Sequence, residues 1–80
     1  MYINSLERRY NLVEFSLYRA EGTTVYVLDL LLDCSVEEFE EKGLGATVTI
    51  EDGDYLLTFK DYEVSEYYEE DGCLRVVCVK

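Results

Sequence analysis

The segment Asp61–Gly72, DYEVSEYYEEDG, holds six carboxylates and three tyrosines in twelve residues, with no basic side chain. Three kinds of chemistry deserve testing against such a chain. Paired carboxylates can act as general acid and base. Glu14 and Asp29 are the candidates, because they can face each other across a first hairpin. Solvated surface charge is the simpler reading, because a domain this small rarely encloses a ligand pocket. Clustered carboxylates can also hold a hard cation, but Asp52-Gly53-Asp54 and Glu69-Glu70-Asp71 sit on short turns without the EF-hand spacing. Thiols are the third possibility. Cys34, Cys73 and Cys78 are odd in number, form no CxxC pair and have no neighbouring cation to lower their pKa. Cys34 and Cys78 lie in apolar surroundings and read as buried, inert thiols. The chain has no histidine, which removes the commonest general base and metal ligand. No glycine-rich phosphate loop and no basic patch with interleaved aromatics is present. The expectation is a protein without catalytic residues, metal or cofactor.

Charge is the main lead on a partner. Eighteen acids against seven bases leave a net charge of −11. Residues 1–20 carry Arg8, Arg9 and Arg19 against Glu7 and Glu14, or +1, so residues 21–80 carry −12. Direct binding to nucleic acid is disfavoured, since phosphates are repelled. A basic protein surface, a cation or solubility alone explains the acids better. Eighty residues, 49% of them apolar, make one domain over residues 1–80, about 30 Å across by the usual scaling. Met1 leads directly into polar and charged residues, so no signal peptide is expected. The longest apolar run, Leu30–Leu32, is too short to span a bilayer. A cytoplasmic location with reduced thiols is expected, in the host cell if the chain is phage-encoded.

Glycine turns organise the elements. A two-residue loop at Glu21-Gly22 sets Leu17 against Tyr26, Phe15 against Leu28 and Val13 against Leu30. A loop at Asp52-Gly53 sets Ile50 against Tyr55, Val48 against Leu57 and Ala46 against Phe59. A loop at Asp71-Gly72 sets Tyr67 against Val76, Tyr68 against Arg75, Glu66 against Val77 and Ser65 against Cys78. Between the first two hairpins, Ser35 and Glu38 form a capping box, Cys34 and Phe39 occupy the staple positions, and Gly43 ends a helix over about residues 36–42. MYINSLERR is ambiguous between a short helix and an edge strand. The fold class is α+β and mostly β: an antiparallel meander of about five to six strands, curled or barrel-like, with one short helix.

On an extended strand, residues two apart share a face at roughly 6.6 Å spacing. Glu66, Tyr68 and Glu70 then share one face of the acidic segment, and Asp61, Glu63, Tyr67 and Glu69 the other. A duplex carries about one charge per 1.7 Å, so roughly 30 Å holds some 18 charges. The 18 acids of this chain occupy a body of similar size. Tyrosines add rigid contact area with a polar tip, on which a partner's arginines can stack. Solubility and protection of a strand edge are the plainer account of the same residues. Across the whole chain, in size, charge, tyrosine content and lack of catalytic motifs, the format resembles small acidic inhibitors of phages and mobile elements. These include anti-CRISPR proteins and DNA-mimic anti-restriction proteins. The resemblance implies a protein that occupies the nucleic-acid site, or another basic surface, of a host defence nuclease complex. The candidate partner-binding residues are Asp61, Glu63, Glu66, Tyr67, Tyr68, Glu69, Glu70 and Asp71. Glu37, Glu38, Glu40 and Glu41 on the helix form a second patch. The alternative is a small β-domain that homo-oligomerises, marked by an exposed apolar strand face such as Val25, Val27 and Leu31.

Overall fold

Alternating apolar and polar residues carry most of the chain into strands. A computed structural model describes residues 1–80. Its elements are β1 (Tyr2–Ser5), β2 (Arg8–Arg19), β3 (Tyr26–Leu32), α1 (Val36–Lys42), β4 (Val48–Asp52), β5 (Tyr55–Phe59), β6 (Glu63–Glu70) and β7 (Cys73–Val79). The strands form one antiparallel sheet of seven, in the order β5-β4-β1-β2-β3-β7-β6. The mostly β class and the helix at 36–42 agree with expectation. The strands number seven instead of five or six, and the sheet is not closed into a barrel. MYINSLERR resolves as β1, a turn at Leu6-Glu7 and the start of β2, and β1 lies inside the sheet between β4 and β2, not at an edge. No helix is long and apolar enough to cross a membrane.

β5 and β6 follow each other in sequence yet occupy opposite edges of the sheet. Laid flat, seven strands would span about 29 Å. The four residue steps from Phe59 to Glu63 reach at most about 14 Å. The sheet therefore curls until its two edges approach each other. Tyr62 pins the connector. It is buried, its amide donates to the Ala46 carbonyl at 3.1 Å, and its ring meets Phe59 edge-on at 6.1 Å.

The curl encloses Ile3, Tyr10, Leu12, Leu28, Leu30, Leu32, Val48, Ile50, Leu74, Val76 and Cys78. The helix α1 adds Phe39 to this core, and burying such a ring stabilises by about 1.5–3 kcal/mol. Ser35 caps the helix by accepting from the Glu38 amide at 3.1 Å. Gly43 ends it with φ of 67°, a conformation that costs glycine little. The Tyr10 hydroxyl donates to the Gly43 carbonyl at 2.8 Å, so the helix end is tied to β2. Ser5, buried on β1, donates to the Thr47 carbonyl and accepts from the Gly45 amide at 2.8 and 2.7 Å. That single hydroxyl holds the α1–β4 loop in place.

Two expected registers move by two residues. Leu17 pairs with Leu28 and Phe15 with Leu30, because the first loop spans Glu21–Thr24. Thr23 makes the longer loop favourable: its hydroxyl donates to the Ala20 carbonyl at 2.8 Å and accepts from the Val25 amide at 3.1 Å. Val13 falls at a bulge between Leu12 and Glu14 and is half exposed, not paired with Leu30. In the second hairpin the loop is Gly53-Asp54, so Ile50 faces Leu57 and Val48 faces Phe59. Only Gly53 has positive φ there, at the first central position, as a II′ turn requires. The third hairpin has the expected loop. Asp71 and Gly72 both have positive φ, the signature of a I′ turn.

Candidate acidic interface on β6 and α1

β6 is an edge strand whose residues Glu63 to Glu69 are all exposed. Tyr67 opposes Val76, Tyr68 opposes Arg75 and Glu66 opposes Val77, as the sequence suggests. Val64, not Ser65, opposes Cys78, because a bulge falls between Val64 and Glu66. The extra residue reverses the alternation on its N-terminal side. Glu63 therefore opposes Val79 and joins Glu66, Tyr68 and Glu70 on the outer face, not Tyr67 and Glu69. Asp61 lies outside the strand, in the connector, with φ of 64°. Asp71 lies in the turn that follows.

Tyr67 and Glu69 take the other face, toward α1. The Tyr67 ring stands 5.1 Å from the Phe39 ring, and its hydroxyl donates to Glu40 at 2.8 Å. The carboxylate acceptor, above other causes, raises the phenol pKa. This contact joins the two acidic patches at one ring. Beside it a shallow depression is lined by Phe39, Glu40, Gly43, Leu44, Val64 and Tyr67. Glu37, Glu40 and Glu41 are exposed on α1, while Glu38 pairs with Lys42 at 3.4 Å. Glu37 and Glu38 also stand in the first helical turn, where the dipole favours them. Ten of the 18 carboxylates lie on β6 with its flanking turns or on α1. Six of the eight tyrosines are exposed, and only Tyr10 and Tyr62 are buried.

On the outer face the acids surround one base. Arg75 donates to Asp29 at 3.0 Å, to Glu14 at 3.1 Å and to Glu70 through both Nε and Nη2. Glu70 above all, with Asp29 and Glu14, raises the guanidinium pKa against the opposing effect of partial burial. Glu14 and Asp29 do not face each other, because the shifted register sets Glu14 against Leu31 and Asp29 against Ser16, but both are ion-pair partners of Arg75. Glu70, counted with the partner-binding residues from sequence, spends its carboxylate on the same arginine. Position alone does not reveal this, because the fourfold cluster needs β2, β3, β6 and β7 side by side.

The thiols are free, with Cys78 buried and Cys34 and Cys73 half-buried. Burial pushes Cys34 and Cys78 up to about 11, so neither is a ready nucleophile near neutral pH. No group of three or more His, Cys, Asp or Glu residues is arranged to hold a metal ion. Comparison with protein-family models, with curated proteins and with solved structures finds no match to this chain.

The residues that sequence reasoning missed are apolar. Leu44 and Val64 line the depression beside Tyr67, and Tyr55, Leu56 and Leu57 stand exposed on β5. A strand without a single charge at a sheet edge is the signal for β5, but its edge position is invisible until the sheet order is known.

Proposed function

We propose that this chain is a non-enzymatic binding protein that blocks a basic surface of a partner. The partner class that fits is a nucleic-acid-binding nuclease complex of phage defence, and the mode is mimicry of anionic DNA. The observation that carries the reading is the Tyr67–Glu40 contact, which links the acidic edge strand β6 to the acidic helix α1. Glu69, Glu37, Glu40 and Glu41 on the helix side, with Glu63 and Glu66 on the outer face of the same edge strand, supply charge for long-range steering. Tyr67 and Tyr68, 39% and 48% exposed, supply contact area on which arginine can stack. The depression between Phe39 and Val64 accepts the aliphatic stem of an arginine or lysine whose head pairs with Glu40.

The test is DNA cleavage by a panel of RNA-guided and restriction nuclease complexes, with and without the protein. Inhibition of at least one complex is expected, with DNA displaced from it and inhibition weakening as salt rises. Reversing Glu63, Glu66 and Glu69 to lysine should abolish inhibition. Glu70 is left alone in that variant because it holds Arg75. A panel in which no complex is inhibited, or a triple variant that inhibits as well as the original, contradicts the reading.

A further inference from the structure

The second edge of the sheet differs in every respect from the acidic one. Tyr55, Leu56 and Leu57 on β5 are 75%, 67% and 42% exposed, and β4 is the only strand paired with them. β5 contains no charged residue. Exposed apolar edges are what proteins normally blunt with charge, proline or a bulge, and this one has none of these within the strand.

The turn chemistry says which backbone groups are free. The two-residue Gly53-Asp54 loop makes Asp52 and Tyr55 the hydrogen-bonded closing pair. Tyr55, Leu57 and Phe59 therefore direct their amides and carbonyls toward β4. Leu56 and Thr58 direct theirs to the open edge.

We propose that this edge pairs with β5 of a second copy of the chain, antiparallel, about a twofold axis at Leu57. In that register Leu56 exchanges its backbone bonds with Thr58 of the second copy, and the axis repeats the exchange. Leu57 faces its own counterpart, and Tyr55 faces Phe59 of the second copy, an aromatic cross-strand pair. The flanking charges select the occupant. Asp54 falls opposite Lys60 of the second copy, and Lys60 opposite Asp54. Neither has an ion-pair partner within its own chain. Sliding one copy by two residues leaves Asp54 opposite Thr58 or Tyr62 and loses the match. The β6 edge cannot pair with itself in this way, because Glu63, Glu66, Glu69 and Glu70 would meet like charges. Isologous pairing of this kind closes at two copies. It leaves both β6 edges free, so the dimer presents the acidic surface twice.

The full chain is measured by light scattering over a concentration series at about 0.15 M salt, where charges are screened beyond about 8 Å. The mass should rise from 9.3 kDa toward twice that value. Lys60→Asp should weaken the dimer by about tenfold by placing like charges opposite each other. The double swap Asp54→Lys with Lys60→Asp should restore it. Both positions are exposed, and circular dichroism verifies that each variant keeps its sheet. Under oxidised glutathione, Leu57→Cys should form a covalent dimer above the background of the unmodified chain, whereas Tyr55→Cys should not. A chain that stays monomeric throughout, a Lys60→Asp change without effect, or equal crosslinking at the two cysteine positions overturns the proposal. Pairing of β5 with another protein's strand would appear as one of these outcomes.

Discussion

Arg75 is the residue on which the outer face depends. Its side chain is 15% exposed and answers three carboxylates from three strands. Replacing it with alanine leaves Glu14, Asp29 and Glu70 to repel one another. The expected loss, discounted for the exposure of the partners, is about 2 kcal/mol in urea denaturation. Arg75→Lys should recover only part of it, because an ammonium cannot reproduce the fork that reaches Glu70, Asp29 and Glu14 together. The thiols set an alkaline limit. Cys34 and Cys78 have ordinary values near 9.0 and folded values near 11. The unfolded chain gives up these protons first, so stability is fully present below pH 9 and falls as pH rises through 11. Urea midpoints measured across that window should decline, and Cys78→Ala should flatten the decline.

At the scale of elements, single hydroxyls and single turns join the parts. Ser5→Ala strips the Gly45 amide and the Thr47 carbonyl of their shared partner, at an expected cost of about 1–3 kcal/mol by urea denaturation. The β1–β2 turn is the strained one: Leu6 has φ of 59° and is 75% exposed. Leu6→Gly should raise stability by about 1 kcal/mol in the same assay, because only the side chain makes that conformation costly. These elements differ in how far they can be read from sequence. The helix was legible in its bounds, since Ser35 caps it and Gly43 ends it as their types suggest, but the capping box is only half made: the Glu38 carboxylate pairs with Lys42 and does not return to the Ser35 amide. The Asp71-Gly72 hairpin was legible from its turn as far as the bulge at Ser65. The other two hairpins were legible in face but not in register, because Thr23 lengthens one loop and the II′ turn moves Gly53 to the first central position. The pairing of β1 with β4 and of β3 with β7 was not legible, since nothing local encodes contacts across most of the chain. The same limit hid the role of Glu70. The bulge at Ser65 likewise moved Glu63 to the other face without any glycine to announce it.

The molecule measures 33 × 29 × 20 Å and carries two unlike edges. One edge is acidic and continuous with the helix. The other is apolar and uncharged within the strand. The asymmetry follows from topology, because β5 and β6 are neighbours in sequence that take the two different edges of one sheet. The apolar marker expected at Val25, Val27 and Leu31 is not an exposed face as a set: Val27 is buried and Leu31 half-buried. β5 instead carries three consecutive exposed apolar residues, Tyr55–Leu57. Salt distinguishes the two edges. Binding through β6 and α1 should fall steeply as ionic strength rises, whereas pairing through β5 has a neutral core and should persist. The most direct test of the central claim compares the affinity of the unmodified chain and of the Glu63, Glu66 and Glu69 to lysine variant for an inhibited nuclease complex, by calorimetry at fixed salt. A variant that keeps its fold and loses binding by two orders of magnitude or more, about 2.7 kcal/mol, is the expected result. An unchanged affinity would contradict the claim that the acids of β6 make the contact.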